Sequence, residues 1–191
     1  NGDTGISSVA WFEGGCGEEE WSADWIASPL DKEIQPVMYR EFILDAPVSE
    51  VACARLYITG LGVYEAGLNG EKAGEEYLAP FYNDYRFWIQ YQTYDVTDML
   101  SRGGTLSVML GPGWYKGRFG FSGDRVKGYY GDSYKLLAEL RIVYEDGTEQ
   151  IVGTDDSWKI RTSNIVFSNI YDGEWRDDTR KAEPDSNAIY T

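Results

Sequence analysis

Residues 56–96 read LYITGLGVYEAGLNGEKAGEEYLAPFYNDYRFWIQYQTYDV, and after a short break residues 106–120 read LSVMLGPGWYKGRFG. In the first stretch Leu56 and Ile58 alternate with Tyr57 and Thr59, the period of a half-buried strand. A second alternating run, Val63 to Leu68, ends at Asn69-Gly70, a dipeptide that readily takes the positive φ values of a tight hairpin. Then come Tyr77, Phe81, Tyr82, Tyr85, Phe87, Trp88, Tyr91 and Tyr94, interleaved with Asn83, Asp84, Arg86 and Gln90. Rings mixed with hydrogen-bonding groups suit a sugar-facing surface. Aromatic faces stack on C–H patches, while carboxylates and amides take hydroxyls.

Outward from this stretch the same pattern continues. Met38–Leu44 reads as a strand stopped by Asp45-Ala46-Pro47, and Cys53–Thr59 as the next. Trp88–Val96 is extended, and Asp98–Gly104 is a loop or at most one helical turn. Thr105–Leu110 is a strand with Leu106, Val108 and Leu110 on one face. Gly111–Asp132 is a long glycine-rich loop, of a length that is usually functional. Leu136–Tyr144 and Thr148–Val152 form a hairpin through Asp146-Gly147, Ser157–Arg161 is a strand, and apolar Ile165–Ile170 leads into a turn at Tyr171–Gly173. Short strands separated by turn signals argue an all-β, antiparallel sandwich.

The composition narrows the function. With 32 acidic and 17 basic residues the formal net charge is −15. Neither nucleic acid nor an anionic membrane fits as a partner, since both need a basic footprint. Histidine is absent, which excludes histidine-based triads, zinc sites and proton shuttles within these residues. The two cysteines are Cys16, in a glycine-rich stretch, and Cys53, expected to be a small buried hydrophobe; spacing leaves a disulfide between them open. No signal peptide or apolar spanning run is evident, and cellular location is not indicated.

Five blocks together carry a resemblance: GLGVYEAGLNGEKAGEEYLAPFYNDY (60–85 without interruption), QYQTYDVTDML, GPGWYKGRFGF, YYGDSYKLLAEL and IYDGEWRDDTR. In this order they resemble the N-terminal β-sandwich region of bacterial α-L-rhamnosidases of glycoside hydrolase family 78, and are similar to carbohydrate-binding module family 67. The resemblance implies a galactose-binding-like jelly roll over residues 21–180. It implies a remnant of a preceding domain and a linker over 1–20, with Val9–Phe12 as an orphaned strand and Trp21 and Trp25 docked on the sandwich. Residues 181–191 are expected to be a linker to a following domain.

It further implies a non-catalytic accessory domain that recognises L-rhamnose or rhamnose-containing glycans and contacts the remaining domains of the parent enzyme. The alternative is a purely structural domain that packs on the catalytic (α/α) barrel and binds no ligand. The candidate ligand-binding residues are Asn83, Asp84, Trp114, Tyr115, Tyr130 and Asp132. Trp114 is expected to project from the turn made by Gly113. Asp84 and Asp132 are the candidate Ca²⁺ ligands, because hard cations take carboxylate oxygens. The chain departs from the family pattern at Pro112, where many relatives have Asp, and at Tyr129 and Tyr134, where binding relatives tend to have Asn and Pro. Topology predicts that Asp84, Trp114, Tyr130 and Asp132 meet at one end of the sandwich.

Overall fold

The computed structural model describes residues 14–17, 21–118, 120, 127–180 and 185–191. The expected orphaned strand at Val9–Phe12 lies outside the described residues.

Fourteen strands, all paired antiparallel, build two packed sheets and one small hairpin. Counted among the described residues, and in chain order, they are β1 (Ile26–Ala27), β2 (Pro36–Ile43), β3 (Val51–Leu61), β4 (Val63–Leu68), β5 (Glu71–Lys72), β6 (Gln92–Asp95), β7 (Gly103–Gly111), β8 (Lys135–Tyr144), β9 (Glu149–Gly153), β10 (Lys159–Thr162), β11 (Ile165–Asn169), β12 (Gly173–Arg176), β13 (Ser186–Asn187) and β14 (Ile189–Tyr190). The first sheet runs β14-β1-β8-β3-β6, with β9 also on β8. The second runs β13-β10-β2-β7-β4-β5, and β11 pairs with β12 alone. A single turn of helix, α1 (Gly113–Lys116), follows β7.

The alternation read in the sequence is what closes the sandwich. Leu56 and Ile58 of β3 and Leu136, Leu140 and Ile142 of β8 point inward from one sheet. Met38 of β2, Leu106, Val108 and Leu110 of β7 and Ile160 of β10 point inward from the other, and all are fully or almost fully buried in one core. Removing such side chains from water is the main stabilising contribution, about 1.5–3 kcal/mol for each large aliphatic one. Trp158, also fully buried, donates from Nε1 to the Gly153 carbonyl at 2.8 Å, so its one polar atom is satisfied. Asn69 (φ 57°) and Gly70 (φ 85°) both occupy the left-handed region and close the β4–β5 hairpin as a turn with positive φ at both central residues.

Two expectations are corrected. Cys53 is half-buried, not a core residue. It lies beside Val143 on the outer face of the first sheet, one position out of phase with buried Ala54, and neither cysteine is in a disulfide. Residues 186–190, expected in a linker, belong to the sandwich. β13 pairs with β10 and β14 with β1, and between them Ala188 is buried, its N–H donating to the Trp158 carbonyl at 2.9 Å. The open backbone edges of β10 and β1 are what these few residues satisfy.

The segment before β1 does dock. Trp21 meets Tyr57 and Tyr91 edge-on, with ring centroids 6.3 and 5.6 Å away. The fully buried Glu139 accepts from the Ser22 and Ala23 N–H groups at 2.6 and 2.9 Å and from Arg141 at 2.5 Å. The Trp25 carbonyl accepts from the Thr191 N–H at 3.2 Å.

Register decides where the loops gather. Leu61 at the end of β3 faces Lys135 at the start of β8; Val63 at the start of β4 faces Gly111 at the end of β7; Ile58 faces Gln92 at the start of β6; Thr162 faces Pro36. The segments before β2, between β5 and β6, between β7 and β8, and after β10 therefore emerge at the same end.

Candidate functional site

That end carries a cluster of rings. Its floor is Tyr85, mostly buried, whose hydroxyl reaches the Gly62 carbonyl at 3.5 Å. The Tyr115 and Tyr130 rings both stand 5.1 Å from it, at interplanar angles of 70° and 58°. Tyr82 meets Trp114 edge-on at 6.2 Å, and its hydroxyl lies 3.2 Å from that of Tyr130. Tyr129 packs edge-on against Tyr130 at 4.8 Å. Further out, Phe87 is 79% and Trp88 53% exposed. So much exposed aromatic surface at one end of a small sandwich makes it the candidate interaction site.

The local backbone explains why these rings stand where they do. The loop between β5 and β6 holds Leu78 (φ 61°) and Phe81 (φ 68°) in the left-handed region, either side of a cis Ala79–Pro80 bond. Branched and aromatic side chains rarely adopt that region, and such residues concentrate at ligand-binding sites. Asn83 keeps the loop in shape. It is fully buried, its Nδ2 donates to the Pro80 and Phe81 carbonyls at 3.3 and 3.2 Å, and its Oδ1 accepts from the Gln90 N–H at 2.9 Å. Gly113 turns the chain out of β7 at φ 52°, so that Trp114 and Tyr115 follow on α1. Gly131 lies where a Cβ would come within 2.1 Å of the Tyr115 hydroxyl, so this ring needs glycine beside it.

Charge is fixed as well. Arg86 grips Asp84 with two hydrogen bonds, Nε to Oδ1 at 2.8 Å and Nη2 to Oδ2 at 2.7 Å, the forked geometry that favours arginine. The guanidinium lies 5.9 Å from the Tyr130 ring, 6.0 Å from Tyr129 and 5.6 Å from Phe87. The Arg86 hydrogen bonds hold the Asp84 carboxyl below its ordinary value. The hydrogen bond with Tyr82 pushes the Tyr130 phenol up to about 12, and burial pushes up those of Tyr85 and Tyr115. At neutral pH the site therefore presents neutral phenols and one closed ion pair.

Of the six residues expected in the site, Trp114, Tyr115, Tyr130 and Asp84 come together around Tyr82, Tyr85 and Arg86. Asn83 lies beneath them, spent on the loop backbone. Asp132 is two residues from Tyr130 but lines the neighbouring cleft, where it pairs with Lys32. Tyr82, Tyr85, Arg86, Phe87 and Trp88 belong to the ring-rich stretch read in the sequence but are not singled out there as candidates, nor is Tyr129, because alternation of rings with polar groups marks a surface without saying which ring supports which.

The donors fit calcium poorly. This ion takes six to eight oxygens, yet Asp84 and Asp132 lie in different places, Asp84 gripped by Arg86 beside the rings and Asp132 in the neighbouring cleft. Among the described residues no three acidic or thiol side chains gather in a group suited to a metal.

Residues 49–189 match the family model described as the alpha-L-rhamnosidase N-terminal domain. A similar curated protein is an alpha-L-rhamnosidase of Streptomyces avermitilis, 37% identical over 179 residues, which cover 87% of this chain and 17% of that protein. Another, from Formosa agariphila, is 36% identical over 90% of this chain and 19% of its own length. The chain thus spans under a fifth of these relatives. Among solved structures, the native α-L-rhamnosidase of Aspergillus terreus superposes with a TM-score of 0.77 at 38% identity, over 83% of this chain and 19% of that one. The S. avermitilis enzyme complexed with L-rhamnose gives 0.70 at 38% identity, over 75% and 14%. Matched over most of its length in both sequence and sheet architecture, the chain belongs to the alpha-L-rhamnosidase N-terminal domain family.

Proposed function

We propose that this chain is a non-catalytic carbohydrate-binding domain of an α-L-rhamnosidase, and that its aromatic end receives L-rhamnose or a rhamnose-containing glycan. One observation carries the reading: exposed rings are braced by half-buried ones, with hydroxyls and an Asp84–Arg86 pair at their margin. A braced ring loses little freedom on binding, so most of its contact energy is retained. The faces of Trp114 and Tyr82 stack on the methyl and C–H face of a deoxy sugar. The Tyr82 and Tyr130 hydroxyls and the Asp84 carboxylate exchange hydrogen bonds with the sugar hydroxyls. A relative solved with L-rhamnose supports the choice of sugar.

The test is titration with L-rhamnose by calorimetry or NMR, in Ca²⁺ and again in EDTA. Binding is expected in both, with resonances of the aromatic end moving. Trp114→Ala removes a stacking ring worth about 1–3 kcal/mol and is expected to weaken binding by roughly tenfold or more. A purely structural domain gives the opposite result: no binding at millimolar sugar, and a lowered melting temperature in Trp114→Ala as the only effect.

A further inference from the structure

Beside the aromatic end lies a second concavity of about 290 Å³, lined by Lys32, Gln35, Lys116, Lys127, Asp132 and Asn169 among others. That volume is close to the lower bound for small-molecule sites. Its chemistry is unlike the rest of the molecule. In a chain of net charge −15, three lysines line this cleft against two carboxylates, Glu33 and Asp132.

Lys116 is the centre of the argument. It sits on the same helical turn as Trp114, and its side chain is only 10% exposed. Its ammonium stands 5.0 Å above the ring of buried Tyr134. Among the described residues its ion-pair partner is Glu33, 3.6 Å away and 81% exposed, and Asp132 in the same cleft also lies near enough to feel its charge. A cation taken so far out of water calls for a close anion, and a solvated carboxylate beyond hydrogen-bond range supplies one poorly. Lys32 differs: its side chain is 61% exposed and hydrogen-bonds directly to Asp132, itself 66% exposed. Both acids are free to turn to water, and exposed pairs of this kind contribute little. An incoming anion therefore displaces them readily.

Two buried amides face the same cleft with their oxygens already engaged. Gln35 Oε1 accepts from Ser168 Oγ at 3.1 Å, and Asn169 Oδ1 accepts from the Tyr171 N–H at 3.0 Å. What each has left to offer is its NH₂ group, a donor. Lysines and amide donors converging on a small concavity select an acceptor-rich, negatively charged group.

We propose that this cleft binds the carboxylate of a uronic acid, so that the domain recognises an acidic glycan in which a uronate neighbours the deoxy sugar on the rings. The proposal rests on the sugar-binding reading of the aromatic end. The two sites adjoin, since Trp114 and Lys116 share one helical turn and Tyr130 and Asp132 one short segment.

The test uses the ¹⁵N-labelled chain titrated separately with sodium D-glucuronate, neutral methyl D-glucoside, sodium sulfate and L-rhamnose, at constant ionic strength. Glucuronate is expected to shift Gln35, Lys116 and Asn169 resonances at millimolar concentration, with methyl glucoside at least tenfold weaker. Lys116→Met, which keeps the length of the side chain and suits its burial, is expected to weaken glucuronate at least tenfold and leave L-rhamnose affinity unchanged. Lys116→Arg is expected to retain glucuronate binding, which shows that the cleft still folds. Equal binding of glucuronate and methyl glucoside overturns the proposal. So does sulfate binding as tight as glucuronate, which makes the cleft a general anion site, and so does glucuronate binding that survives in Lys116→Met. L-rhamnose binding without any glucuronate effect removes this proposal and leaves the function above intact. The reverse result removes that function and leaves the cleft as a uronate site.

Discussion

Asn83 places three hydrogen bonds on the loop that carries the rings, two to carbonyls and one from the Gln90 N–H. In Asn83→Ala these groups lose their partner in a fully buried place, at a cost of about 1–3 kcal/mol. For a chain of this size each kcal/mol lowers the melting temperature by roughly 2–4 °C. Thermal melting is expected to show a fall of several degrees, together with weaker sugar binding because the rings lose their support; an unchanged melting temperature would mean that water replaces the amide. Asp84 gives a prediction about pH. Its carboxyl is held below the ordinary 3.8 by Arg86. A depressed carboxylate contributes fully above its unfolded value, and the contribution is lost as pH falls through the folded one. With no histidine in the chain and the Tyr130 phenol at about 12, sugar affinity should be level from about pH 5 to 9. The Arg86 Nε–H resonance should report release of the clamp with a midpoint below 3.8. A midpoint above that value would show that the pair is open in solution.

At the scale of elements, strands were legible where side chains alternate. Leu106, Val108 and Leu110 name the buried face of β7, and Asn69-Gly70 and Asp146-Gly147 name two hairpins, because a period of two and a positive φ are local properties. Which strands become neighbours is not local. The order β8-β3-β6 joins residues scattered over ninety positions, and only the register shows that four loop segments leave at one end. The same gap explains Asp132. Its distance from Tyr130 is written in the sequence, whereas its turn towards Lys32 is set by the loop before β2. The short terminal strands were hidden for another reason: two residues are too few to show a period. β13 and β14 nevertheless each form two register pairs, with β10 and β1. If each pair contributes roughly 1 kcal/mol, removing residues 185–191 costs about 4 kcal/mol and exposes the surroundings of Ala188 as well. A melting temperature lower by about 8–16 °C is expected, and one within a degree or two of the full chain would show that these strands are not formed in solution.

For the molecule as a whole, the question is whether the proposed glycan site could also cleave what it binds. Glycoside hydrolysis needs two carboxyl groups across the scissile bond, one of them protonated at working pH so that it can act as general acid. A general acid needs a pKa raised by burial in apolar surroundings or by a neighbouring anion. Two carboxylates near the aromatic end, Asp84 and Asp132, are moved the other way. Asp84 is lowered by its hydrogen bonds with Arg86, and Asp132 by its hydrogen bond with Lys32. Both stay ionised near neutral pH with a cation already in place, and neither is a proton donor. Glu139 is fully buried, but its two oxygens are held by Arg141 and by the Ser22 and Ala23 N–H groups on the outer face of the first sheet, where it fixes the incoming chain. The phenols do not substitute: those of Tyr85, Tyr115 and Tyr130 are all pushed above their ordinary value, so they bind as neutral groups. On the proposed reading, then, Asp84 and Asp132 serve to hold a sugar and neither supplies the proton that its cleavage requires. The purified chain is therefore expected to release no aryl alcohol from an aryl α-L-rhamnoside at any pH between 4 and 9, while it binds L-rhamnose in the same buffers. Turnover that disappears on replacing a single aspartate or glutamate would show that a carboxyl group works here as a general acid, and would overturn the division between binding and catalysis drawn from these ion pairs.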